Sequence, residues 1–166
     1  DSHRLPWTMI QRWSVALITV LLSFLSVLIH ELSHSFMALN KGIPVRGITL
    51  FIFGGVSQLG REPQRPITEF MIALVGPLVS ILLAATSGVV WFLLGRGNSS
   101  VEVIVILLAW INLSLGVFNL IPGYPLDGGR LLRASIWGLT GNYRIASLIA
   151  SAMGLICLLY TSDAAD

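Results

Sequence analysis

His30-Glu31-Leu32-Ser33-His34 lies in the second half of an apolar segment, about residues 14–39, that is long enough to cross a membrane. The fifteen residues before it, 15–29, include no charged side chain. The four-residue spacing places His30 and His34 on one face of a helix, one turn apart. Two neutral imidazoles in this arrangement can bind one Zn²⁺, and Glu31 can act as base for a water molecule.

Two other interpretations of this motif are weaker. A soluble core helix with two hydrogen-bonded histidines would carry a polar face, and this segment is too apolar for that. A structural zinc site would need four protein ligands, usually with cysteine, and the chain has one cysteine, Cys157. A carboxylate and two imidazoles are costly at membrane depth unless they are paired or bound to metal. The motif therefore indicates a catalytic metal site with an open position.

The composition indicates an integral membrane protein. Of 166 residues, 55% are apolar and only 11% are charged, and the mean hydropathy is +0.84, whereas soluble domains carry about 25% charged residues. We therefore expect the protein to lie in a lipid bilayer. The net charge is only +2 and the sequence has no basic cluster, so we expect no nucleic-acid partner. The chain begins with Asp1 rather than Met, which predicts a truncated piece of a longer protein.

The apolar segments predict an all-α polytopic membrane protein with three to four transmembrane helices and a small membrane-associated β-hairpin. We expect a juxtamembrane segment over 1–13, an intramembrane core over 14–160, and a disordered or foreign tail over 161–166. The expected spans are about 14–39, 67–94, 101–121 and a short fourth one, 145–160.

The positive charges predict the orientation. Seven lysine and arginine residues would lie on one side of the membrane and three on the other. The first set comprises Lys41, Arg46, Arg61, Arg65, Arg130, Arg133 and Arg144, and the second comprises Arg4, Arg12 and Arg96. By the positive-inside rule, the larger set lies in the cytoplasm, and the histidine motif lies toward that side.

Residues 48–59 have the character of strands rather than helix. Residues 48–53 are β-branched and aromatic, and Gly54-Gly55 is a turn signal. We expect an apolar hairpin with an edge strand that pairs with an extended peptide substrate, with Phe51, Phe53, Gly54 and Gly55 as the substrate-binding residues. The alternative is an interfacial loop that dips into lipid.

Spans two and three contain polar or helix-breaking residues with expected structural roles. Pro77, after Gly76, removes one helix hydrogen bond and favours a kink. Asn112 is expected to join two helices by a hydrogen bond. Asn119 lies seven residues further along the same face.

A second constellation follows span three. Asp127 comes after Pro122 and Pro125 and directly before Gly128-Gly129, which predicts a broken backbone of fixed shape. A carboxylate beside membrane depth is a candidate third zinc ligand, which would leave the fourth position for water. The alternative is an ordinary turn aspartate paired with Arg130.

The HELSH motif followed by Asn119-x-x-Pro122-x-x-x-x-Asp127-Gly128 resembles the site-2 protease family of intramembrane zinc metalloproteases. Gly76-Pro77 and the Phe53-Gly54-Gly55 segment also resemble that family, and the likeness covers about residues 20–155. The PLDGGR form of the second motif is typical of bacterial and archaeal members, whose cell membrane is the expected location.

The resemblance implies that His30, His34 and Asp127 bind zinc, that Glu31 is the general base, and that Asn119 helps to hold the substrate carbonyl or the developing oxyanion. It also implies membrane-protein substrates such as anti-sigma factors or membrane-bound transcription factors. The rival hypothesis is a metal-ion transporter that uses the same cluster, although neither internal repeats nor several acidic helices are present. The sequence leaves the substrate and the oligomeric state open.

Overall fold

The computed structural model describes residues 7–51, 54–94 and 99–163. Its elements in chain order are α1 (Met9–Asn40), β1 (Val45–Phe51), β2 (Gly54–Leu59), α2 (Pro66–Leu94), α3 (Ser100–Asn119), α4 (Asp127–Thr140) and α5 (Tyr143–Asp163). Helices α1, α2 and α3 pack against one another, α4 packs on α2, and α5 packs on α4.

Within the described residues, α1, α2 and α3 are long and apolar enough to cross a membrane. The first part of α5, Tyr143–Cys157, is a shorter apolar stretch of helix. The expectation of three to four spans with a small hairpin is confirmed. Helix α1 is longer than the span predicted from apolarity, because Thr8 and Gln11 form a capping box that starts it at Met9. The expected boundary at residue 13 therefore lies inside a helix.

The segment after α3 contains a helix that the sequence analysis did not predict. Residues 120–126 form an irregular loop, but Asp127, Gly128 and Gly129 are the first turn of α4. The interpretation of Asp127–Gly129 as broken backbone is therefore wrong. These glycines serve close packing: a Cβ on Gly129 would lie 2.6 Å from the Tyr124 nitrogen. Residues Thr161–Asp163 continue α5, and the foreign origin of the tail over 161–166 stays a prediction.

The hairpin is present, but its glycines lie elsewhere than expected. Strand β1 pairs antiparallel with β2, from Val45 opposite Leu59 to Phe51 opposite Gly54. Gly54 and Gly55 are thus residues of β2 rather than of the turn, because the pairing extends fully to Gly54. Phe53 lies outside the described residues, as does the side chain of Phe51. The base of the hairpin packs on α1 and α2 through Ile43, beside Ala38 and Ile72.

Asn112 joins two spans as expected. Its side-chain nitrogen donates to the Ser26 hydroxyl of α1 at 3.0 Å and to the Leu108 carbonyl of its own helix at 2.9 Å. Such bonds hold apolar helices together where the hydrophobic effect acts little between them. Gly116, on the same helix, lets α3 approach α2 closely, because a Cβ there would lie 2.8 Å from Ile81.

Candidate metal centre

The two histidines of α1 are buried against α2, which orients both rings. His30 and His34 are 2% and 3% exposed. His34 Nδ1 donates to the backbone carbonyl of Ile72 at 2.6 Å, and His30 Nδ1 lies 2.9 Å from the hydroxyl of Ser80. These bonds direct the Nε2 atom of each ring toward the same point, and the two Nε2 atoms lie 3.2 Å apart.

Asp127 brings a carboxylate to that point from another helix. Its Oδ2 lies 3.2 Å from His30 Nε2 and 3.0 Å from His34 Nε2. Arg130 Nη1 is 4.0 Å from the other oxygen, Oδ1. The pairing with Arg130 therefore coexists with the histidine contacts.

The three ligand atoms form a nearly equilateral triangle with edges of 3.0–3.2 Å. Bonds of 2.0–2.1 Å from zinc to nitrogen or oxygen in a tetrahedron put the ligands about 3.3 Å apart. The dimensions of this triangle therefore fit one face of a tetrahedral zinc site. Two imidazoles and one carboxylate are also the donor types that catalytic zinc takes.

The hydrogen bonds on the far side of the rings strengthen this fit. A carbonyl oxygen only accepts, so the Nδ1 of His34 carries the proton and the Nε2 of a neutral ring presents a lone pair. The Ser80 hydroxyl can accept a hydrogen bond from His30 Nδ1 in the same way, and His30 in that tautomer would also present a lone pair at Nε2. Two lone pairs and a carboxylate oxygen then converge within 3.2 Å, an arrangement that a central cation stabilises.

Gly76 of α2 provides the space for the rings. A Cβ on Gly76 would fall far inside van der Waals distance of His34 Nε2 and 2.9 Å from His30 Nε2. Any side chain at this position would therefore occupy the place of the ligand atoms. The sequence analysis assigned the Gly76-Pro77 pair only a kink, and the spatial role of Gly76 was missed.

Close backbone packing fixes the loop that leads to Asp127. A Cβ on Gly128 would overlap the carbonyl oxygens of Leu120 and Ile121, and one on Gly154 of α5 would lie 2.8 Å from the Tyr124 nitrogen. Helix α5 thus presses on the loop from one side while the first turn of α4 closes it from the other. This packing sets the position of the Asp127 carboxylate.

An ion pair with a buried carboxylate fixes α4 on α2. Arg133 Nε donates to Glu69 Oε1 at 2.8 Å, and its Nη2 donates to the same oxygen. Glu69 is fully buried, and the guanidinium stacks over the rings of Tyr124 and Tyr143 at 5.2 and 5.0 Å. Burial raises the pKa of Tyr124 to about 12, so this ring stays neutral beside the cation. Arg133 is therefore a packing residue of α4 rather than a topology signal.

One face of α2 organises the whole site. Glu69, Ile72, Gly76 and Ser80 follow at intervals of three, four and four residues, which is one helix face. Glu69 holds α4, whereas Ile72, Gly76 and Ser80 hold the two histidines of α1. Helix α2 thus aligns the two ligand-bearing helices. Ser80 is the one polar residue in the sequence from 70 to 85; it was the signal for this role, and it was overlooked.

The structure brings together four of the expected site residues. His30, Glu31 and His34 offer ligand atoms within 4.8 Å of one another, and all three are buried; Asp127 completes the group. Asn119 is the last residue of α3, and its side-chain nitrogen donates to the Leu115 carbonyl at 2.9 Å.

Removing the Ser80 hydroxyl is expected to weaken metal binding without unfolding the bundle. In Ser80→Ala, His30 loses the partner that fixes its ring, and we expect zinc affinity to fall by about 10–100-fold. Competition with a chromogenic chelator measures it. The control is Ser23→Ala, which removes a hydroxyl that donates to the Thr19 carbonyl of its own helix at 2.7 Å. Equal affinities of the two variants would exclude the positioning role of Ser80.

Comparison with known proteins gives a consistent result. A family model described as Peptidase family M50 matches residues 17–97 and 96–160. A Synechocystis protein that is provisionally named a zinc metalloprotease is 46% identical over 86% of this chain and 37% of its own length. The zinc metalloprotease MJ0392 of Methanocaldococcus jannaschii is 36% identical over 89% of this chain and 43% of its own. The chain thus spans less than half the length of these relatives.

A solved structure is similar as well. The site-2 protease from Methanocaldococcus jannaschii superposes with a TM-score of 0.68 at 34% identity, over 93% of this chain and 70% of the other. The helical architecture described above is therefore shared with that protein.

Proposed function

Since this chain belongs to peptidase family M50, the family of the site-2 proteases, we propose that it is the catalytic core of an intramembrane zinc metalloprotease. It would hydrolyse peptide bonds within or near transmembrane segments of other membrane proteins. The observation that carries the proposal is the triangle of His30 Nε2, His34 Nε2 and Asp127 Oδ2, with Glu31 beside it, at the junction of helices that can cross a membrane.

The proposed roles follow from the chemistry of these side chains. His30, His34 and Asp127 would hold zinc, which supplies Lewis acidity that activates water and polarises a carbonyl. Glu31 accepts a proton from the attacking water at its carboxylate and delivers it to the nitrogen of the leaving amine. Burial of Glu31 to 7% exposure keeps bulk water away from this proton transfer.

The hairpin is proposed to hold the substrate. A helical substrate hides its carbonyl groups in internal hydrogen bonds, so the cleaved segment must be extended, and unwinding it in lipid requires replacement bonds. The hairpin is anchored on the end of α1 beyond His34, because Val45 and Leu59 pack against the cluster that Ala38 forms with Ile43 and Ile72. Among the residues that the structure describes, β1 pairs with β2 alone, and we propose that its other edge binds a substrate strand.

Asn119 is proposed to contact the substrate carbonyl or the developing oxyanion. It ends α3, directly before the loop that leads to Asp127. In the structure one N–H of its side-chain amide donates to the Leu115 carbonyl, and the second N–H of the same group is the donor proposed for the substrate oxygen.

The site is proposed to open toward the cytoplasm. Arg133 is paired with the buried Glu69, and Arg130 lies near Asp127. Without these two arginines, the cations on the side of the α1–α2 connection still outnumber those on the other side by five to three. The positive-inside rule then places the hairpin and the end of α1 in the cytoplasm.

The substrates are proposed to be membrane-bound regulators such as anti-sigma factors. A relative 36% identical over 65% of this chain is the stage IV sporulation protein FB of Bacillus subtilis.

The direct test is zinc-dependent cleavage by the purified chain in proteoliposomes. We expect about one zinc per chain, hydrolysis of a co-reconstituted transmembrane peptide, loss of activity after chelation, and recovery on adding zinc. Asp127→Ala is expected to retain much less zinc, because it removes the only carboxylate of the triangle. Full zinc content without any cleavage, together with zinc uptake into the vesicle lumen, would favour the transporter instead.

Proline substitutions in β1 test the role of the hairpin. Proline cannot donate a backbone hydrogen bond, and the N–H groups of alternate residues point to opposite edges of a strand. Proline is substituted singly at Ile48 and Leu50, which form one set, and at Thr49 and Phe51, which form the other. We expect the substitutions of one set to lower cleavage while the zinc content stays intact. The other set faces β2 and reports on hairpin stability. If all four variants cut at the normal rate, β1 does not bind substrate.

A further inference from the structure

We propose that this protein binds an anionic phospholipid at the end of the bundle where α1 ends and α2 begins. The headgroup phosphate would lie in a basic cavity there, and an acyl chain would lie in the apolar groove that continues from it. Neither feature contributes to the metal centre, and the proposal does not depend on the protease activity.

The basic cavity has a volume of about 380 Å³. Three cationic residues line it, Lys41, Arg61 and Arg65, against one anionic residue, Glu62. Glu62 also accepts a hydrogen bond at 3.0 Å from the hydroxyl of Tyr143, which occupies part of its capacity. The excess of positive charge favours a monoanionic or dianionic group such as a phosphate ester.

The positions of the cations fit a lipid headgroup better than a free solute. Lys41 directly follows α1, and Arg65 directly precedes α2, so both lie at the ends of helices long enough to span a membrane. Arg61 is fixed by donating to the Gly42 carbonyl at 3.0 Å. A basic pocket at this depth, between helix ends, is where headgroup phosphates of a bilayer are found.

The apolar groove supplies the second, independent observation. It has a volume of about 690 Å³ and runs between the start of α2 and the second half of α4. Its wall includes Pro66, Phe70, Ala134, Gly138 and Leu139. Arg65 and Ile67 line both the groove and the basic cavity, so the two are contiguous.

This continuity decides the class of ligand. A soluble phosphate would use only the cavity, and a neutral lipid or an apolar helix would use only the groove. A molecule with an anionic phosphate joined to an acyl chain satisfies both at once. The exposed Leu139, at 88% exposure, is the kind of apolar side chain that such a chain would cover.

Native mass spectrometry in detergent, with equal amounts of phosphatidylglycerol and phosphatidylcholine added, tests the proposal. We expect several-fold preferential retention of phosphatidylglycerol. Lys41→Gln and Arg65→Gln should each lower that retention by about fivefold. The matched control is Arg46→Gln. This variant removes a nearby cation of β1 that does not line the cavity, and it should retain as much phosphatidylglycerol as the parent.

The groove is tested separately with Gly138→Phe. A Cβ on Gly138 would lie 3.6 Å from the Pro66 side chain across the groove, so a phenylalanine there fills the groove. We expect weaker retention of phosphatidylglycerol, with Gly88→Phe, whose Cβ would meet nothing within 4 Å, as the control. Equal retention of the two lipids, competition by inorganic phosphate at the same concentration as the lipid, or an equal loss in Arg46→Gln would each overturn the proposal.

Discussion

Glu31→Gln is expected to abolish most peptide hydrolysis while the protein keeps its metal. The amide is nearly isosteric with the carboxylate but cannot accept the proton of the attacking water, and loss of a general base lowers the rate by about 10²–10⁴-fold. The ligand atoms of His30, His34 and Asp127 are untouched by this change. Cleavage of a reconstituted transmembrane peptide and the zinc content of the same preparation are the two measurements.

Glu102→Gln is the matched control for this experiment. Glu102 is as buried as Glu31, both at 7% exposure, but it lies in the first turn of α3, at the opposite end of that helix from Asn119. The Glu102→Gln variant should therefore cleave the peptide at a rate within a few-fold of that of the parent. Activity of Glu31→Gln close to that of the parent would contradict the proposed mechanism, and loss of zinc from it would indicate that Glu31 is a ligand.

Gly76→Ala is expected to remove metal binding and activity together. The added Cβ would overlap His34 Nε2 and lie 2.9 Å from His30 Nε2, so at least one ring must leave the triangle. Displacing a ligand is more severe than losing a supporting hydrogen bond, and we expect zinc affinity to fall by more than about 100-fold. The visible absorption spectrum of the cobalt-substituted protein, which reports the coordination geometry, measures this independently of activity.

Gly88→Ala separates the clash from general effects on the helix. Both glycines lie within α2, and alanine stabilises a helix interior relative to glycine by about 0.5–1 kcal/mol. A Cβ on Gly88 meets nothing within 4 Å, so this variant should keep its zinc and fold at least as stably as the parent. If Gly76→Ala binds zinc as tightly as Gly88→Ala, then the rings have room to shift and Gly76 is only a packing residue.

The membrane spans and the histidine pair were predictable because they depend on local sequence. Apolar length selects a spanning helix, and the four-residue spacing alone puts His30 and His34 on one face. The start of α1 at Met9 was missed, because the capping box of Thr8 and Gln11 extends the helix beyond the apolar run. Helix α4 was missed because prolines and glycines around Asp127 indicate a loop, whereas Gly128 and Gly129 serve close packing on residues 120–124.

The sequence by itself determined the membrane-spanning helices, the hairpin and the types of side chain that can hold a metal. Only the tertiary structure decided how these meet. Asp127 lies more than ninety residues from the histidines along the chain, and its place beside them depends on α2, whose Glu69 holds Arg133 while Ile72, Gly76 and Ser80 hold the rings. Such contacts join residues distant in sequence through carbonyl groups, small side chains and buried charges, and these leave no local periodic pattern to detect.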